Sequence, residues 1–319
     1  MIDRVAELVG AVAPLILAAA YLVRARTLRG QGRAVPAWRQ LSFGFGMVII
    51  LVAVGPLEGK ASELVLAHMA QHILLADLAS LLIVFGLTGP IMQPLLRNQV
   101  AHALRFLTHP VVAISLFTFN LFLWHSPPLY QAVLDSVPLH EAEHLSFIAT
   151  GILLWMPLFG PLPKPSWFGK GAHVIYTVGI WLPAMVLANV LMWSDSVFYP
   201  DYSATALANG IEPVADQSTA GAILMGECML MALAIFAWVF LRWAREDIER
   251  QDLLDLADAR GVPTSAPRGR SPPGGGRRYA SGSRRPTTAD PEGRSNGAHR
   301  APHPSPSAAT SERPRSVSS

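Results

Sequence analysis

A chain of 319 residues with 51% hydrophobic and 15% charged side chains falls well below the roughly one-quarter charged content of a soluble domain. Its net charge is only +3, and 14 of its 25 Lys+Arg lie in the last 79 residues, so the pI of 9.2 describes a tail and excludes a nucleic-acid-binding reading of the whole chain. One cysteine, Cys228, excludes an internal disulfide framework and any cysteine-rich zinc or iron–sulfur site.

A helix needs about 20 mainly apolar residues to cross the hydrocarbon core. Seven stretches are candidates: about 5–23, 40–57, 64–86, 109–124, 141–159, 172–192 and 217–241. They are too long for barrel strands, and backbone groups in lipid must pair internally, so helices are the consistent choice. The predicted fold is therefore all-α: a polytopic membrane helix bundle of about seven transmembrane helices occupying residues 1–245. Asp3 and Glu7 accompany Arg4 before the first stretch, while Arg24, Arg26, Arg29, Arg33 and Arg39 follow it. A secretory signal has the opposite polarity, so the stretch reads as a retained helix with its N-terminus outside.

The later loops agree with that orientation. Arg97 and Arg105 follow the third stretch and Lys164 and Lys170 the fifth, whereas the loops after the second, fourth and sixth carry Lys60 alone. By the positive-inside rule the C-terminus is cytoplasmic, and the protein is a multi-pass component of the cell membrane. Residues 246–260 read as a short charged juxtamembrane helix. Beyond them, 39 of the 59 residues from 261 to 319 are Gly, Ser, Pro or Arg. Such a segment is predicted to be a disordered basic cytoplasmic tail, with arginines able to rest on anionic lipid.

Five histidines fall near the outer ends of the third, fourth and fifth stretches: His68, His72, His125, His140 and His144. His68 and His72 are four apart, as are His140 and His144, which puts each pair on one helix face a turn apart. Two imidazoles so placed can ligate one cation. If the three helices are neighbours, five rings converge just inside the outer surface. Met69 would suit a soft ion such as Cu(I), but one residue is about 100° around a helix, which argues against its facing the same way as His68.

Acidic side chains form a second group. Glu141 and Glu143 surround the second His pair, and Asp135, Asp195, Asp201, Glu212 and Asp216 line outer loops, giving a field that concentrates cations. Asp77 and Glu227 fall inside apolar stretches, where an ionisable group normally faces a partner or a water-filled cavity. Asp77, five residues beyond His72, is expected below the His site as an accessory or proton-accepting group. The run containing Met225, Cys228 and Met229 has the composition of a soft-metal path, although methionine is also common filler.

Several motifs together resemble the CtaG family of caa3-type cytochrome c oxidase assembly factors. They are His68-Met69-Ala70-Gln71-His72, the run Gly86 to Pro90, Leu123-Trp124-His125 and His140-Glu141-Ala142-Glu143-His144, followed by Met185 to Tyr202 and Asp216-Gln217-Ser218-Thr219-Ala220-Gly221. The similarity spans about residues 45–245. It implies a membrane protein that works with cytochrome c oxidase subunits to mature a haem–copper oxidase by handling copper. The residues carried across are the five histidines, with Asp216 and Gln217 as accessory positions; Glu143 is an accessory position by its place within the second His pair.

Other readings remain open on the residues alone. His72 with His144 or His125 could hold a b-type haem between facing helices. A cofactor-free scaffold could bind an oxidase subunit through its polar outer surface. His140 to His144 also matches HExxH, which would make Glu141 the general base of a zinc protease; no other catalytic signature occurs, and a non-enzymatic role is expected.

Overall fold

The structure, a computed structural model, describes residues 2–96 and 98–260. Arg97 and the tail from 261 to 319, on which the loop charge and the disorder expectation rest, lie outside the described residues. Every regular element described is helical. The principal helices are α1 (Ile2–Gly30), α2 (Ala37–Ala53), α3 (Val65–Gly86), α4 (Asn98–Leu107), α5 (Pro110–Trp124), α6 (Pro127–Leu134), α7 (Val137–Phe159), α8 (Lys170–Trp193) and α9 (Pro213–Ala259).

Helices occupy all seven stretches predicted from apolar content. Four of them, α3, α7, α8 and α9, are long and apolar enough to cross a membrane, and α4 with α5 makes a fifth if taken as one span bent by 71°. The bend falls at His109-Pro110. A residue before proline is pushed out of the helical region, and His109 is extended, with ψ of 131°. Helix α2, with 17 residues, is shorter than the usual spanning length of about 20. The charged segment from 246 to 259 is not set off from the last span, because α9 runs through it without a break for 47 residues.

Helix α3 is the axis of the bundle. Leu75, Ala79 and Ile83 pack with Tyr21, Phe43 and Met47 of α1 and α2. Its other side sends Val65, Met69, Ala76 and Val84 into a larger core shared with α5, α7, α8 and α9. Both of its ends are met by a charge opposite to the helix dipole. At the N-terminus the Asp216 carboxylate accepts from the Val65 and Leu66 amides at 2.8 and 3.0 Å. At the C-terminus the Arg39 guanidinium donates to the Phe85 and Leu87 carbonyls at 3.0 and 2.8 Å.

Mid-way along α3, residues Leu74–Ala79 widen into a π-turn. Helix α7 approaches there so closely that a Cβ on Gly151 would strike the Ala76 carbonyl oxygen. The Ser80 hydroxyl spans the same contact, donating to the Leu75 and Ile148 carbonyls. Helix α5 is tied to α7 by Trp124, whose indole N–H donates to the Ser146 hydroxyl at 2.7 Å. These contacts bring the N-terminal ends of α3 and α7 beside the C-terminal end of α5.

Candidate metal centre

The five histidines predicted to converge do so. Ring centroids are 4.3 Å apart for His68 and His72, and 4.2 Å for His140 and His144, the two i, i+4 pairs. Between helices, His68 lies 5.4 Å from His140, while His72 lies 6.0 Å from His144 and 5.6 Å from His125. All but His140 are buried.

Glu143 sits at the centre of this cluster instead of at its edge. It is three residues from His140, hence on the same face of α7, and its side chain is fully buried. Its two oxygens lie 3.6 Å from His68 Nε2 and 3.4 Å from His72 Nε2. Neither oxygen has a hydrogen-bond donor among the described residues, and His72 and His144 make no hydrogen bond on either ring nitrogen. Buried polar groups are normally paired, and a buried carboxylate without donors is costly unless a cation offsets it. Three sets of nitrogen and oxygen donors each fall within 4.8 Å of one another: Glu58, His140 and His144; His68, His140 and Glu143; His72, Glu143 and His144. Imidazole and carboxylate donors at that spacing fit a transition-metal ion.

The neighbouring residues fix how the rings present their lone pairs. The Tyr202 hydroxyl donates to the Ala61 carbonyl at 3.0 Å and lies 3.0 Å from His68 Nδ1. With its proton committed to Ala61, the hydroxyl can accept from Nδ1–H, and in a neutral His68 ring Nε2 then carries a lone pair toward Glu143. Burial pushes the Tyr202 phenol up, so it stays protonated. Tyr199 donates to the His125 carbonyl at 3.0 Å and stacks on Tyr130 with centroids 3.8 Å apart, closing the site beneath the 194–202 loop.

Glu58 gives the cluster a side toward solvent. It is 39% exposed and pairs with His140 Nδ1 at 3.2 Å. Its other oxygen accepts from the Gln71 amide at 2.6 Å, and the same amide reaches the Ala53 carbonyl. Burial alone would raise the Glu58 carboxyl, but the His140 ring and the Gln71 amide hold it below the usual carboxylate range.

Asp216 and Gln217 act through position. Asp216 caps α3 four residues before His68. Gln217 anchors the loop that carries Tyr199 and Tyr202, accepting from the Phe198 amide at 2.8 Å and donating to the Ser196 carbonyl at 3.1 Å.

Three expectations need correction, and the HExxH alternative finds its glutamate elsewhere. Asp77 does not lie under the histidines: it lines a separate small cavity with Glu227, Cys228 and Trp181. Five residues is about 140° around a helix, and the π-turn intervenes. The sulfurs of α9 do not align as a path, because Met229 is 60% exposed while Cys228 is buried and Met225 packs on the core. Met69 does reach the site, with Sδ 3.2 Å from His125 Nε2. Glu141, the base an HExxH protease would need, instead lies against Gly10 of α1 and lines an apolar cavity of about 470 Å³. Sequence reasoning missed Glu58 and the three tyrosines; the i, i+3 relation of Glu143 to His140 was the available sign of its central place.

The model of the cytochrome c oxidase caa3 assembly factor family matches residues 19–246, which include every residue of the cluster. Uncharacterized proteins of Mycobacterium bovis and Mycobacterium tuberculosis are each 24% identical over 262 residues, covering 76% of this chain. The chain spans only 39% of the length of each. No solved structure matches. With the family match running through all the helices that build the site, the chain belongs to the caa3-type cytochrome c oxidase assembly factors.

Proposed function

We propose that this protein is a multi-pass cell-membrane assembly factor that holds a copper ion in its His/Glu cluster and passes it to a cytochrome c oxidase subunit. In this reading the chain crosses the membrane seven times with its N-terminus outside, the cluster lies near the outer surface, and copper is cargo. The observation that carries the reading is the buried Glu143 carboxylate, flanked at 3.4 and 3.6 Å by imidazoles whose facing nitrogens make no hydrogen bond. A bare ion suits that arrangement better than a haem, because Glu143 offers a carboxylate oxygen within 4.8 Å of ring nitrogens of both His72 and His144. The exposed edge at Glu58 offers the ion a polar entry, and the ligand change from Glu58 and His140 inward to His72 and His144 keeps it coordinated throughout.

The test uses the full chain purified in detergent. Wild type is expected to bind about one copper per chain, because the three donor sets share His140, Glu143 and His144, and the His72→Ala/His144→Ala double variant, which breaks two of the three, to bind it at least about tenfold more weakly. In a strain lacking the gene, wild type should restore haem–copper oxidase activity and the double variant should not. Full rescue by the double variant would favour a cofactor-free scaffold.

A further inference from the structure

The cluster's nitrogen and oxygen donors do not account for one further contact. Met69 Sδ and His125 Nε2 lie 3.2 Å apart, and both side chains are buried, at 2% and 6% exposure. His125 Nδ1 is 2.7 Å from the Leu121 carbonyl oxygen. A carbonyl cannot donate, so in the neutral ring the proton sits on Nδ1 and Nε2 carries a lone pair. That lone pair faces the lone pairs of a thioether with no hydrogen between them. Two acceptors held nose to nose in an apolar interior are ordinarily joined by something electron-poor.

We infer that Met69 and His125 form a second, softer station beside the His/Glu cluster, which takes a monovalent d10 cation such as Cu(I) or Ag(I). The inference rests on the proposed metal-handling role and adds the oxidation state in which the ion is held. At the bond lengths found for zinc, about 2.0 Å to nitrogen and 2.3 Å to sulfur, one ion would reach both atoms across the 3.2 Å separation at an angle of about 95°. Thioether and imidazole are both neutral, and thioether selects Cu(I) over harder ions. Glu143 makes its close approaches to His68 and His72, so the divalent-compatible anionic donor belongs to the other station. The His72 ring stands 5.6 Å from that of His125, makes no hydrogen bond on either nitrogen and faces Glu143 with Nε2, which makes it the bridge between the two. No electron transfer is involved: the ion arrives, moves and leaves as the monocation.

The experiment titrates full-length protein in detergent with Ag(I), a redox-inert probe, and separately with Zn(II). Met69→Leu keeps the side-chain volume and is expected to weaken Ag(I) binding at least about tenfold while leaving Zn(II) within about twofold, the scale on which losing a supporting donor is felt. His125→Gln, a second variant should the first fail to fold, is expected to show the same selective loss. Selenomethionine-labelled wild type loaded with Ag(I) should show a direct Se–Ag contact in X-ray absorption that Met69→Leu removes. Unchanged Ag(I) affinity in both variants, with Zn(II) bound normally, overturns the soft station alone. Wild type that binds neither ion overturns the cluster reading with it.

Discussion

Asp216 on α9 reaches across to the first turn of α3 and accepts from the Val65 amide at 2.8 Å and the Leu66 amide at 3.0 Å. The residue flanking α3, Leu64, has no side chain able to cap it, so a carboxylate 151 residues away supplies what a local serine or aspartate would. One turn further along stand His68 and Met69, then His72. The cap therefore sets the axial position of His68, Met69 and His72 together.

Asp216→Ala should thus act on stability and on the site together. Loss of an N-cap costs about 1–2 kcal/mol, and misplacement of ligands through a supporting residue typically lowers metal affinity about 10-fold or more. Thermal unfolding in detergent and copper titration measure the two effects. A variant that loses stability but binds copper as wild type would show that α3 keeps its place without the cap.

Glu143→Gln separates charge from shape. Without metal, the variant should be at least as stable as wild type, because it removes a buried anion that lacks donors. With copper, wild type should gain thermal stability by linkage, and the variant should gain little. A large stability loss in the metal-free variant would mean that protonated histidines already neutralise Glu143.

At Glu58 the expectation concerns pH. Its carboxyl is held below the usual range, so its stabilising contribution is present above the unfolded value, about 4.3, and is lost as pH falls through the lower folded value. Unfolding temperatures taken between about pH 3 and 6 should fall more steeply with acid for wild type than for Glu58→Gln. Parallel curves would exclude the His140 pairing as a source of that stability.

Gly151→Ala tests the approach of α7 to the π-turn of α3. A methyl there meets the Ala76 carbonyl oxygen and the Ser80 hydroxyl, and forced overpacking costs about 1–3 kcal/mol. Gly226→Ala is the control: a Cβ there meets nothing within 4 Å, so the helix preference for alanine, up to about 1 kcal/mol, should leave stability unchanged or raise it.

The parts of this fold written in local periodicity were legible in the sequence. Apolar content marked seven stretches that are helical, four or five of them long enough to span, and four-residue spacing put His68 with His72 and His140 with His144. What escaped depends on distance between chain segments. Glu58 and Tyr202 join the site only because α3 is gripped from the 194–216 region on one side and from the turn after α2 on the other. Met69 was discounted because it leaves α3 in a different direction from His68; the site, however, wraps two sides of α3, with α7 against the histidines and the end of α5 against the thioether. Asp77 was assigned downward by sequence proximity, whereas angular position around the helix turns it to Glu227.

Helix α9 holds a last implication. Its 47 residues extend about 70 Å at 1.5 Å each, more than twice the roughly 30 Å of a bilayer's oily interior. A crossing helix of that length would protrude, and just past Arg242 its Glu246 pairs with both Arg242 and Lys170. Anything that grips the far end of that helix is, through Asp216 at the opposite end of the same rod, mechanically joined to the ligand-bearing turn of α3.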